Sequence, residues 1–100
     1  MKIITAIVRT TSVDNIVKSV EDIGIREMTV SEIKGIGEET LLFKPFTIQS
    51  KIDIIAPDEK VDKITDVILQ RAHTGLAGDG LIAVHPVDYI IKIRTMEKLV

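Results

Sequence analysis

Residues 47–84 read TIQSKIDIIAPDEKVDKITDVILQRAHTGLAGDGLIAV, and their pattern decides the fold. Residues 47–56 are rich in β-branched side chains, with Ile48, Ile52, Ile54 and Ile55 as apolar anchors, and predict a strand. Pro57 and Asp58 then open a helix, since proline and an acidic residue suit a helix N-terminus. Val61, Ile64, Ile68 and Leu69 recur at helical spacing, with Val67 at the border of the stripe. Arg71 falls near the C-terminal end, where a cation is favoured. Gly75, Gly78 and Gly80 rule out a regular element over residues 73–80, and residues 81–84 form the next strand. The stretch is one βαβ unit.

Working outward, the N-terminal half repeats the same order. Residues 2–9 predict a buried aliphatic strand. Ser12 is a candidate N-cap and Asp14 complements the helix dipole. Val13, Ile16, Val17, Val20 and Ile23 give one apolar face, and Gly24 ends the helix. Residues 28–36 alternate as a second strand, followed by a short mixed loop over 38–44 and Pro45. Residues 90–93 predict a short last strand. Two βαβ halves imply an α+β chain, a ferredoxin-like βαββαβ sandwich in one domain spanning residues 1–100. Its antiparallel four-stranded sheet would carry both helices on one face. The other face would be bare, so the aliphatic excess is expected to be covered by partner subunits.

Composition narrows the function. The chain of 100 residues is 45% apolar, 28% charged and 3% aromatic, so the core must be aliphatic. Few aromatics, a net charge of −2 and no basic patch argue against nucleic-acid binding. Absence of cysteine excludes disulfides, thiol catalysis and the commonest zinc sites. His73 and His85 are not at paired ligand spacing, so no metal site is expected. Asp79 has no nucleophile or second base beside it in sequence, so no catalytic residue is assigned. The apolar start is too short for a secretory core, and no run reaches membrane-spanning length. A cytoplasmic protein without membrane insertion is expected.

Thr74-Gly75-x-x-Gly78-Asp79-Gly80 is the most informative motif. Glycine backbones approach a ligand closely and can turn N–H groups toward an anion. The helix precedes the loop rather than following it, so this is neither a Walker loop nor a dinucleotide fingerprint. From spacing alone, a tight turn explains it equally well.

Several motifs in register add a resemblance. Gly24-Ile25-x-x-Met28-Thr29-Val30-x-Glu32-x-Lys34-Gly35-x-Gly37, Lys51-Ile52-x-Ile54-x-x-Pro57-Asp58, the Thr74 to Gly80 motif and Ile91-Lys92-Ile93-Arg94-Thr95 together resemble the PII nitrogen-regulatory signal proteins. The match runs nearly end to end, except that the segment between Gly37 and Lys51 is shorter than the family's T-loop. The resemblance implies a homotrimer with nucleotide sites in the clefts between subunits. Met28, Thr29, Gly35 and Gly37 would lie beside adenine and ribose. Thr74, Gly75, Gly78, Asp79 and Gly80 would close over the nucleotide, and Lys92 and Arg94 would reach the phosphates from a neighbouring subunit. The implied effector is AMP, ADP or ATP, with magnesium accompanying ATP, and many family members add 2-oxoglutarate. The loop, with Glu38, Glu39, Leu41, Leu42, Phe43 and Phe46, would contact a regulated partner such as a membrane transporter or metabolic enzyme.

The departures from the family pattern concern the phosphate end. Glu38 and Glu39 stand where a basic residue and a glutamine are usual, Leu81 where a lysine is usual, and Lys92 where an arginine is usual. Gln49 aligns with a lysine that holds 2-oxoglutarate, and the loop has no tyrosine. These changes imply a preference for AMP or ADP over ATP and a poor response to 2-oxoglutarate. The rival reading is a small enzyme on the same fold, acting on a nucleotide or other small molecule; a third is a structural trimer with a degenerate pocket.

Overall fold

The computed structural model describes residues 1–36 and 46–100. Gly37, Glu38, Glu39, Leu41, Leu42 and Phe43 therefore lie outside the described residues. The elements run β1 (Lys2–Val8), α1 (Val13–Asp22), β2 (Thr29–Gly35), β3 (Thr47–Ala56), α2 (Val61–Ala72), β4 (Leu81–Pro86), β5 (Ile90–Lys92) and β6 (Glu97–Leu99).

The first four strands form one sheet in the order β2-β3-β1-β4, with every neighbouring pair antiparallel. Each helix thus links two strands that run parallel with a third strand between them, as a ferredoxin-like sandwich requires. Register places Ile4 opposite Ile54 and Val84, and Ala6 opposite Ile52 and Ile82. Ile4, Ala6, Ile52 and Ile54 meet Ile16 and Val20 of α1 and Ile64 and Ile68 of α2 in one buried aliphatic layer, with Ile82 packed at its edge and Val84 43% exposed. The expected layer order, with two helices on one face of an antiparallel sheet, is what the chain forms.

Both helix starts differ from expectation. A 3-10 turn over Thr10–Ser12 leads into α1, and the Ser12 side chain makes no capping bond. Its backbone is already in the helical region, at φ −88° and ψ −12°, whereas a capping residue is usually extended. Pro57 is extended, and a second 3-10 turn, Asp58–Lys60, precedes the α-helix proper. Gly24 does end α1, at φ 95°, with its N–H donating to the Glu21 carbonyl at 2.9 Å.

The C-terminal segment also differs. In place of a single short strand, β5 pairs with β6 in a separate two-stranded hairpin, Ile90 opposite Leu99 and Lys92 opposite Glu97. Met96 turns this hairpin at φ 58°.

The face of the sheet away from the helices carries Ile3, Thr5 and Ile7 of β1, Lys51, Asp53 and Ile55 of β3, and Leu81, Ala83 and His85 of β4. It is not uniformly apolar. The Thr5 hydroxyl donates to Asp53 at 2.6 Å, and the Lys51 ammonium lies 3.7 Å from the same carboxylate. Ile55 and Leu81 remain 46% and 56% exposed, which leaves apolar area on this face open to a partner.

Candidate functional site

The glycine-rich segment between α2 and β4 is organised by one carboxylate. Asp79 Oδ2 accepts the Thr74 N–H at 2.7 Å and the Gly75 N–H at 2.8 Å. Asp79 Oδ1 accepts the Thr74 hydroxyl and the Arg9 guanidinium. One side chain thus ties the end of the loop to its beginning. Hydrogen bonds from Thr74, first its hydroxyl and then its backbone, hold the Asp79 carboxyl well below the usual carboxylate range; Arg9 and the Gly75 N–H add to this, against partial burial.

That shift fixes a pH expectation. A carboxyl whose pKa is lower folded than unfolded contributes above its unfolded value, about 3.9, and the contribution is lost as pH falls through the folded value. The Asp79 side-chain carboxyl carbon resonance should therefore show its protonation shift only in acid stronger than about pH 4. A midpoint near pH 4 in an NMR titration would show that the carboxylate is not held in this way.

The loop sits on the C-terminal end of β1. A Cβ on Gly80, which has φ 101°, would run into the Ile7 carbonyl. Arg9 braces the loop from the same place: besides Asp79, it donates to the Ala77 carbonyl at 2.7 Å and lies near the Thr74 hydroxyl at 3.4 Å.

Between this loop and the end of β2 lies a cleft of about 470 Å³. Gly35, Gly78, Asp79 and Gly80 line it, together with Ile7, Lys34, Gln49, Leu76 and Leu81. Met28 and Thr29 are not there. They line a second depression of about 700 Å³, with Arg26, Lys51, Asp53, Ile55 and His85. Thr29 and Gly35 sit at opposite ends of β2, about 20 Å apart at strand rise. Thr74 and Gly75 shape the loop through Asp79 without lining the first cleft. Lys92 and Arg94 lie on the C-terminal hairpin, both exposed, and line neither depression. Phe46 stands at the base of the 37–45 segment, half-buried, with the Lys34 ammonium 4.5 Å from its ring centre.

Sequence reasoning missed Arg9 as a loop brace and Asp53 and Lys51 as lining of the second depression. A break from aliphatic side chains at Arg9, directly after the β1 run, is the one local signal that could have marked it. Among the described residues, no group of three or more His, Asp or Glu side chains could hold a metal ion. Nor is any described helix long and apolar enough to cross a membrane.

Residues 1–97 match the family model described as nitrogen regulatory protein P-II. The chain belongs to the P-II family. It is 37% identical to the nitrogen regulatory protein P-II of Pasteurella multocida, over 98% of this chain and 96% of that protein. It is 38% identical to nitrogen regulatory protein P-II 1 of Escherichia coli and 36% identical to the P-II protein of Azospirillum brasilense, with the same coverage. Each alignment runs over 107 positions against a chain of 100 residues, so this P-II chain is shorter at internal points than each of these relatives. The resemblance carried by the strand and glycine motifs and the ferredoxin-like architecture agree with this membership.

Proposed function

We propose that the chain is a signal-transduction regulator that binds adenine nucleotides between the subunits of a homotrimer and acts on a partner protein rather than catalysing a reaction. The observation that carries this reading is the split of the motif residues. Gly35 and the Gly78 to Gly80 loop line one depression, and Met28 and Thr29 line another at the far end of the same strand. A mononucleotide would contact both sets if one subunit supplied the first and its neighbour the second. Lys92 and Arg94, on a hairpin apart from the main sheet, suit a cationic contribution across the same boundary. The segment with Glu38, Glu39, Leu41, Leu42 and Phe43 then serves as the partner-contacting loop, with Phe46 at its base. The partner is a cytoplasmic enzyme or the inner face of a transporter.

AMP or ADP is favoured over ATP. Leu81 lines the cleft and offers no charge to a phosphate. Glu38 and Glu39 come two and three positions after Ile36, another lining residue, and add two anions to the adjoining sequence. A like-charge contact at about 10 Å costs roughly 1.7 kcal/mol at an effective dielectric near 20, and less when solvated. Each 1.4 kcal/mol is about tenfold in affinity. Magnesium on ATP would soften the effect by bridging carboxylate and phosphate.

Isothermal titration of AMP, ADP and ATP, with and without magnesium, tests the proposal. Binding of ADP tighter than ATP without magnesium is expected, with the difference reduced in the Glu38→Gln, Glu39→Gln variant. Tighter ATP than ADP under those conditions would refute the charge argument. Steady turnover of ATP by the pure protein would refute the regulator reading. Millimolar 2-oxoglutarate should add no heat with Mg-ATP, since the Gln49 amide offers no charge to a carboxylate.

A further inference from the structure

We infer that Arg9 is a positioning residue for the Thr74 to Gly80 loop, holding it in a ligand-ready shape before any ligand arrives; its effect on ligand affinity rests on the nucleotide reading above. Arg9 lies just past β1 and 70 positions before Asp79. Its guanidinium forks: Nη1 donates to Asp79 Oδ1 and Nη2 to the Ala77 carbonyl at 2.7 Å. A planar fork can satisfy a carboxylate and a carbonyl at once, which a lysine ammonium on a flexible stem does less well. The two contacts fall on either side of Gly78, and Arg9 Nη2 lies 3.3 Å from the position a Cβ on Gly78 would take. Asp79 closes the loop on itself through the Thr74 and Gly75 N–H groups, and Arg9 fastens that closed loop to the sheet.

The fastening matters because, beyond the Asp79 bonds and the seat of Gly80 on β1, the loop is held by little. Thr74, Gly75, Leu76 and Ala77 are all exposed. Three glycines make the unfastened segment conformationally broad. A ligand that needs one shape binds more weakly in proportion to the fraction of molecules in that shape. Arg9 also neutralises a carboxylate at the wall of the cleft assigned to the nucleotide. The charge effect and one arm of the fork act through Asp79, and only the Ala77 contact is independent of it, so the two residues should be strongly coupled.

The test uses hydrogen exchange and ADP titration on the full chain. Arg9→Ala should raise exchange at the Thr74 and Gly75 amides about tenfold and weaken ADP by a similar factor. Arg9→Lys should restore part of each, because it keeps the charge and loses the fork. Asp79→Asn and the double variant complete a cycle, in which the double variant should bind ADP only a little worse than Asp79→Asn alone, by the share of the Ala77 contact. Unchanged exchange in Arg9→Ala would overturn the positioning role, whatever happens to affinity. Additive losses in the cycle would also overturn it, since they would mean that Arg9 acts on the ligand independently of Asp79. If the wild type shows protected amides that Arg9→Ala loses, yet no ADP binding, the fastening stands and the nucleotide reading falls.

Discussion

Gly80→Ala should destabilise the protein by roughly 2 to 5 kcal/mol and remove ADP binding. Two separate costs meet at this position. With φ at 101°, any Cβ is strained, at about 1 to 2 kcal/mol. The added methyl would also collide with the Ile7 carbonyl and approach Val8 Cα at 3.2 Å, and backbone in a central strand yields less than a side chain does. Overpacking of this kind adds about 1 to 3 kcal/mol. Relief requires lifting the loop from β1, which pulls Asp79 away from Arg9 and opens the cleft wall. Gly24→Ala is the matched control. Gly24 has φ 95° and nothing within 4 Å of the place its methyl would occupy, so it carries the strain without the collision. It should cost about 1 to 2 kcal/mol and leave ADP binding intact. Equal losses in urea unfolding for the two variants would mean that the close approach at Gly80 contributes nothing.

Those two glycines also show what a sequence can and cannot reveal. Each was legible as punctuation, Gly24 after a helical stripe and Gly80 before a strand, because glycine frequency at turns follows from local backbone sterics. That Gly80 also rests on β1 was not legible, since it depends on a contact with Ile7, far away along the chain. Arg9 was hidden for the same reason: a strand-end arginine is ordinarily solvated, and its partner lies in another element. The layered core was readable from periodicity. Ile16, Val20, Ile64 and Ile68 follow the helical period and are all buried. Leu69, grouped with that stripe, stays 54% exposed, because it lies one step round the helix from Ile68 at the margin of the packed face. Strand β6 left no trace in the pattern. Glu97, Lys98 and Leu99 form too short a run for alternation, and the hairpin is held by its ladder rather than by burial in the main core. Motif order pointed to the candidate site residues, and the strand over 28–36 already implied that Thr29 and Gly35 lie about 20 Å apart. Which depression each end borders was not legible, since that depends on where β1, β3 and the glycine loop lie around β2.

Neighbouring isoleucines on β3 should give opposite phenotypes. Ile54 is fully buried, opposite Ile4, beneath the helices. Ile54→Ala should cost about 2 to 5 kcal/mol, the transfer term plus a cavity that a close-packed layer cannot fill. That is a large share of the ~5 to 15 kcal/mol available to a small domain. The unfolding midpoint should fall at every protein concentration. Ile55 points to the other face, opposite Ile3, and lines the depression that holds Met28 and Thr29. In a lone chain its truncation should cost only about 1 kcal/mol, because much of the side chain is already in water. In the proposed trimer the same methyls are covered by a neighbour, so the loss appears in association. Ile55→Ala should leave a folded chain whose midpoint drops on dilution, and sedimentation equilibrium should move from three chains toward one. A cost for Ile55→Ala as large as that for Ile54→Ala in dilute protein would overturn the face assignment. A wild type that sediments as a monomer at micromolar concentration would remove the covering neighbour, and with it the shared nucleotide cleft.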